Sequence, residues 1–255
     1  MLALSIIVIV KDAANDIQRC LESVKWADEV IILDSGSQDN TLEICHHYTQ
    51  NIFSTDWPGF GIQKNRALEK AQGRWVLSID ADEVLSPGLI EEIKQIIGNT
   101  QDQNDAYAIK RISFFCGKKI RYGDWGRDKV VRLFRRLPYI QFTSAIIHEN
   151  LNGYLHLGEL KQVIFHNTMK TISQVLLKLE QYSSFGAEMA YQQHKKTTML
   201  KALMHGIWCF IRGYLLRLGF LDGREGFVLA VSNALGVFYR YVKLIYLNHR
   251  KNYVC

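Results

Sequence analysis

Four short apolar runs dominate the first 80 residues, at positions 4–10, 29–33, 52–54 and 75–79, with helix-forming segments between them at about 16–24, from Asp39 or Thr41 to about 48, and at about 62–71. A strand covered on both faces carries apolar residues without polar alternation, and the Leu-Ser-Ile-Ile-Val-Ile-Val run at 4–10 has that character. Strands that alternate with helices need crossovers between parallel neighbours. The pattern therefore predicts an α/β domain on a mainly parallel sheet. Polar residues follow three of the runs: Lys11 and Asp12, Asp34, and Asp80. In open α/β sheets the ligand crevice lies beyond the carboxyl ends of the strands, which brings these positions to one edge.

Further along, Ser86 and Pro87 supply a cap and a first-turn residue for a helix over 86–98. Residues 105–165 are shorter in pattern and strand-like, with runs at 106–112, 130–134 and 160–165. Beyond Thr171 the periodicity predicts helices at about 172–192, 198–218 and 225–247. The expected organisation is a first domain of residues 1–170 and a helical appendage of residues 171–255.

Charge divides near the same place. Residues 1–160 hold 18 Lys/Arg against 21 Asp/Glu, a net of −3, and residues 161–255 hold 13 against 4, a net of +9. A basic, aromatic-rich helical region calls for an anionic partner or surface. Its charge lies in an apolar helical segment rather than in a groove with stacking aromatics, which argues against nucleic acid. No uncharged run reaches 18 residues, so an amphipathic interfacial region is expected rather than a membrane span. The N-terminus lacks a basic start and a small-residue cleavage site, and reads as a first strand rather than a signal peptide. Cys20, Cys45, Cys116, Cys209 and Cys255 show no C-x-x-C spacing, and free thiols in a reducing cytosol are expected.

The segment Ser78-Ile79-Asp80-Ala81-Asp82-Glu83 leaves an apolar strand directly. Two carboxylates two residues apart can converge there on a hard divalent cation and the ribose beside it. A nucleoside diphosphate leaving group needs such a cation. A polar loop with a capping Asp would be spelled the same way, so context decides. Asp34 ends the second strand, where it can accept hydrogen bonds from a base or ribose. Ser35-Gly36-Ser37 makes a small-residue turn, and the loop at 59–65 carries Lys64 within reach of a phosphate.

In this order the segments 5–24, 30–41, 59–71 and 75–85 resemble the N-terminal half of family 2 glycosyltransferases of the GT-A fold. They are similar to the bacterial lipopolysaccharide inner-core β-1,4-glucosyltransferases. That branch typically shows the turn, loop and acidic motif present here as Asp34-Ser35-Gly36-Ser37, Gln63-Lys64-Asn65 and Asp80-Ala81-Asp82-Glu83. His148-Glu149, His166 and the Leu-Asp-Gly segment within 219–227 match less specifically. The resemblance implies a Rossmann-like, mixed but mainly parallel sheet flanked by helices. Residues 1–85 would form the nucleotide-sugar-binding half and 86–170 the acceptor-facing half.

It also implies site roles. Asp34 would contact uracil or ribose, Asp80 ribose and metal-bridged phosphate, Asp82 the metal, and Lys64 the nucleotide. Many relatives carry Asn-Glu where this chain has Lys11-Asp12; the acidic second position is kept, and with it the expected nucleotide contact. The cofactors implied are magnesium or manganese and a nucleotide-sugar donor, UDP-glucose, with inner-core heptose as acceptor.

Relatives of this family invert the anomeric centre, and a single displacement needs a general base for the acceptor hydroxyl. Glu149 is the first candidate and Asp124 the second, with a surface carboxylate as the plain alternative for Glu149. His148 or His166 is a candidate metal ligand. The cluster Arg121-Tyr122-Gly123-Asp124-Trp125-Gly126-Arg127 suits an anionic glycolipid, since aromatics stack on sugars and arginines bind phosphates. The basic helices would hold the protein at the inner face of the cytoplasmic membrane, and could also mediate a homo-oligomer.

Three rivals stand beside this reading. One is transfer to another membrane glycolipid or a polyprenyl acceptor. A sugar nucleotidyltransferase would need a glycine- and arginine-rich triphosphate loop, which residues 11–15 do not supply. A non-catalytic binding module would be marked by loss of a metal carboxylate, and both Asp80 and Asp82 are present.

Overall fold

In a computed structural model, which describes residues 2–143 and 149–250 (Arg250 by its backbone alone), the chain forms two compact units. The first comprises residues 1–111 and 129–166, the second 112–128 and 167–255, each within the described limits.

The first unit begins with β1 (Leu4–Val10), α1 (Ile17–Val24), β2 (Glu29–Asp34), α2 (Thr41–His46), β3 (Ile52–Ser54), α3 (Phe60–Lys70) and β4 (Trp75–Asp80). These are the expected elements, with ends that coincide or shift by one or two residues. β5 (Glu83–Leu85), α4 (Pro87–Gly98) and β6 (Ala106–Phe115) follow, then β7 (Lys118–Lys119), β8 (Lys129–Arg135), β9 (Gln141–Phe142), β10 (Leu151–Asn152) and β11 (Leu157–Met169). Among the described residues nine strands make one sheet in the order β3-β2-β1-β4-β8-β6-β11-β5, with β7 on β6. The pairs β2–β3, β1–β2 and β1–β4 are parallel, whereas β4–β8, β6–β8 and β5–β11 are antiparallel. The result is the mixed sheet of a GT-A-like Rossmann fold.

β1 explains why its sequence does not alternate. Leu4, Ile6, Val8 and Val10 pack with α1 residues Ile17, Cys20, Leu21 and Val24 on one face. Ile7 and Ile9 pack with Ala67 and Ala71 on the other. Both faces are covered, so both sets must be apolar. Ser86 caps α4 by accepting the Leu89 N–H at 3.3 Å, with Pro87 at the first helical position. The two- and three-residue strands β5, β7, β9 and β10 carry no periodicity, and sequence reading passes over them.

The second unit holds the short β6–β7 turn region, α5 (Ile172–Gln192), α6 (Met199–Phe210) and α7 (Gly223–Arg250). The single helix expected over 198–218 is instead α6 followed by a π-helical turn at Ile211–Leu216. The Arg217 N–H bonds the Arg212 carbonyl five residues back, the π spacing. Leu218 then adopts a left-handed φ of 59°, which ends the helix. α7 packs against both α5 and α6. Ala202, Gly206, Cys209 and Gly213 recur on the buried face of α6 and its continuation, and Gly206 lies close to the Ala234 carbonyl and Phe238 of α7.

Although no uncharged run reaches 18 residues, the helical stretch Gly219–His249 is long and apolar enough to cross a membrane, and 17% of its apolar window is buried. A core helix would be mostly buried, so this one presents apolar surface outward.

Cys20, Cys45, Cys116 and Cys209 are free thiols; Cys255 lies outside the described residues. Burial, then the carboxylates of Glu83, Asp82 and Asp80, push the Cys20 thiol well up. Burial and Asp34 push Cys45 up to about 11. Thiolates are the reactive species. A maleimide at neutral pH is therefore expected to leave Cys20 and Cys45 unmodified in the native protein and to label both in urea, read by peptide mass mapping. Rapid native labelling of Cys20 would contradict its sealed position beneath the Asp80 carbonyl.

Candidate active site

The carboxyl ends of β1, β2 and β4 carry the residues on which the site is built. Behind β1, Asp12 takes a left-handed φ of 48°. Its N–H donates to Ser37 Oγ at 3.0 Å and its carboxylate accepts the Gln38 N–H at 2.8 Å. Lys11 is exposed beside it. Asp34 is buried and folds its own turn, accepting from the Gly36 N–H at 2.9 Å and the Ser37 hydroxyl at 2.6 Å. Gly36 sits at φ 85°, where a side chain would be strained. Asp34 thus shapes the Ser35–Ser37 loop instead of projecting from it.

On α3 the Gln-Lys-Asn motif divides its work. Gln63 donates to Ser35 Oγ at 2.8 Å. Asn65 exchanges two hydrogen bonds of 2.8 Å with the Phe142 backbone and pins β9. Lys64, 1% exposed, lies 3.0 Å from Asp80 Oδ1 and 2.6 Å from Glu149 Oε1. One buried ammonium therefore joins the first carboxylate of the Asp-Ala-Asp segment to the first candidate base.

The other oxygen of Asp80 receives the guanidinium of Arg132 on β8. Arg132 also donates to Glu83 Oε1 at 2.9 Å, and Arg111 reaches the same oxygen at 3.1 Å. Glu83, 0% exposed, accepts the Asp80 N–H at 3.0 Å on its second oxygen. Burial works against charge on Asp80, but Arg132 and Lys64 outweigh it and hold the carboxyl well below the usual carboxylate range. Arg132 is correspondingly held above the ordinary arginine range against the effect of burial, by Asp80 and Glu83.

Asp82 pairs with His166, Nε2 to Oδ2 at 3.2 Å, as β11 runs beside β5. The three cations Lys64, Arg111 and Arg132 thus pair with the three carboxylates Asp80, Glu83 and Glu149, while Asp82 faces His166. Among the described residues, no three His, Cys, Asp or Glu side chains form a ready cation cage.

The first unit therefore gathers Lys64, Asp80, Asp82, Glu149 and His166. His148 lies outside the described residues. Asp124 belongs to the second unit, where Arg212 donates to it at 3.0 Å and Arg217 closes on its other oxygen. There too, Asp222 of the Leu-Asp-Gly segment accepts the Tyr122 N–H at 2.8 Å and the Arg121 N–H at 3.1 Å. That clamp gives the 219–227 segment a folding role.

Sequence reading misses Arg132 and Arg111, and names Glu83 only as the last residue of the acidic motif. A signal existed for Arg132, which interrupts the apolar run Val130-Val131-Arg132-Leu133-Phe134. An arginine inside a buried strand needs an acidic partner.

Residues 5–152 match the model of glycosyl transferase family 2. An uncharacterised glycosyltransferase of Rickettsia prowazekii is 31% identical over 96% of this chain and 87% of its own. The lipopolysaccharide core biosynthesis glycosyltransferase LpsC of Rhizobium meliloti is 25% identical over 97% of this chain and 93% of its own. Among solved structures, the mannosyltransferase PcManGT of Pyrobaculum calidifontis, in complex with GDP-Man and Mn2+, superposes with a TM-score of 0.56 at 15% identity. It covers 96% of this chain and 87% of its own, and shows the fold. The chain belongs to glycosyl transferase family 2, the enzymes that move a sugar from a nucleoside diphosphate donor to an acceptor.

Proposed function

We propose that the protein is an inverting hexosyltransferase that moves glucose from UDP-glucose to a lipopolysaccharide inner-core acceptor. The observation that carries the reading is the Lys64 bridge, which ties the expected donor-side carboxylate Asp80 to the candidate base Glu149.

The residues present fit magnesium or manganese. Asp82 pairs with an imidazole rather than with a lysine or arginine. Asp80 Oδ1 is buried and faces the Lys64 ammonium at 3.0 Å. Magnesium commonly takes one or two carboxylates and completes its shell with water and substrate phosphates, so no three-residue cage is required. Asp82 and Asp80 would hold the cation together with water and the donor phosphates, with His166 beside Asp82 as the further candidate, and the cation would supply charge neutralisation to the departing diphosphate.

In this scheme the chain's own residues position the donor and remove a proton. Lys11, Asp12 and the loop shaped by Asp34 border the nucleotide, and Lys64 lies beside the phosphates. Glu149, oriented by Lys64, takes the proton of the acceptor hydroxyl. That oxygen attacks the anomeric carbon as the carbon–oxygen bond to the diphosphate breaks, which inverts the centre. Asp124, held by two arginines, is the weaker candidate base and buttresses the 121–127 loop.

An anionic glycolipid acceptor suits placement at the inner face of the cytoplasmic membrane, and the net +9 of residues 161–255 supports it. The similarity to LpsC supports the lipopolysaccharide acceptor.

Calorimetric titration with UDP, with and without manganese, tests the donor assignment. Binding that requires manganese is expected. Absence of binding under both conditions would overturn UDP as the donor nucleotide.

A further inference from the structure

The second unit carries an apolar surface that the transfer reaction does not use. Eleven large apolar side chains between Met199 and Leu221 are exposed. On α6 and its π-helical continuation, Leu200, Leu203, Met204, Ile207, Trp208 and Leu215 recur at three- and four-residue intervals, which is one helical stripe. The opposite face, Ala202, Gly206, Cys209 and Gly213, is small and buried. The large side chains therefore point outward because the small ones let α6 pack closely on α7.

We infer that this stripe enters one leaflet of an anionic bilayer with α6 lying along the membrane plane. The inference rests on the membrane placement proposed above and names the surface that performs it.

Charge selects the occupant. Exposed Lys195, Lys196 and Lys201 stand at the start of the stripe, and the Arg224 side chain, 88% exposed, lies just past its end. A second copy of the chain would bring two regions of net +9 together, whereas anionic headgroups neutralise them. Trp208 within the stripe suits the boundary between headgroups and acyl chains.

Length selects the orientation. The twelve residues of α6 and the six of its π-helical continuation together span at most about 27 Å, short of the roughly 30 Å hydrocarbon core, which favours α6 lying in the plane. α7 is long enough to cross, but its second half is engaged within the unit. Lys243 donates to Ser183 at 2.9 Å, Ser184 at 2.6 Å and the Glu180 carboxylate at 3.1 Å, and Arg240 packs against Gly186.

The test is co-sedimentation of the full chain with phosphatidylcholine vesicles, with and without phosphatidylglycerol. The wild type is compared with the double variant Leu203→Ser/Ile207→Ser and with Leu155→Ser, which alters an exposed leucine of the first unit. Exposed positions leave folding intact, which thermal unfolding verifies. Wild type and Leu155→Ser are expected to bind phosphatidylglycerol vesicles equally, with binding weakened by salt. The double variant is expected to partition about tenfold less.

Equal binding by the double variant would overturn the assignment of this face and leave the membrane placement standing. Failure of the wild type to bind either vesicle would overturn the placement itself. A dimer of the wild type that the double variant dissolves would assign the face to a second copy, and resistance to carbonate extraction would assign the membrane contact to a spanning α7. Either result overturns the inference.

Discussion

Asp82→Asn is expected to leave the fold intact and to lower sugar transfer on the order of a thousandfold. The substitution keeps the size of the side chain and removes the carboxylate that faces His166 at 3.2 Å. Asp82 is partly exposed, so its loss disturbs no core packing. A cation that stabilises a departing diphosphate is worth several kcal/mol in the transition state, and each ~1.4 kcal/mol is tenfold in rate. Steady-state transfer from UDP-glucose at the manganese concentration that saturates the wild type, beside circular dichroism of the variant, reads both halves of the expectation. Raising the manganese concentration should recover part of the rate if the lost group ligated the metal. Normal turnover by the variant would show that Asp82 does not serve the cation.

Arg132→Met should instead act on stability, by about 3 kcal/mol. Arg132 is buried and is shared between Asp80 and Glu83. Methionine fills similar space and leaves the buried Glu83 and the partly exposed Asp80 each short of a cation. Removing one member of a buried ion pair commonly costs about 3–5 kcal/mol, because the partner stays charged without compensation. The lower figure applies because Lys64 still faces Asp80 and Arg111 still faces Glu83. Urea unfolding should show the midpoint moving down at unchanged slope. Adding Glu83→Gln to Arg132→Met should restore part of the loss, since the stranded charge is gone. An unchanged midpoint would mean that the network contributes nothing to holding β4 and β8 together.

Much of the first unit is written in local sequence. β1 and β4 are legible because strands buried on both faces leave continuous apolar runs, and α4 because Ser86 and Pro87 mark its start. Lys64, Asp80, Asp82, Glu149 and His166 were legible through spacing and resemblance, and the structure brings them into one unit. Asp34 is legible as a site candidate, while its part in shaping the turn is not. Its position after β2 suits a ligand contact, yet the carboxylate is engaged by Gly36 and Ser37, a preference for local backbone that spacing does not reveal. The Arg132–Glu83–Arg111 network was hidden because its members come from three strands far apart in sequence. Pairing of β8 with β4 and β6, not any motif, brings them together. The break of the helix at 211–216 was hidden too, since π turns leave apolar periodicity almost unchanged.

The Gln63-Lys64-Asn65 triplet has a consequence of its own. Successive helical residues point about 100° apart, so these three neighbours fan outward like spokes. One holds the turn after β2, one the pair Asp80 and Glu149, and one the backbone of β9. Sliding the chain through α3 by a single residue would swing every spoke to the wrong target at once. The triplet is a keyed joint, and insertions or deletions that descendants of this chain tolerate in other loops would be shut out of this one turn.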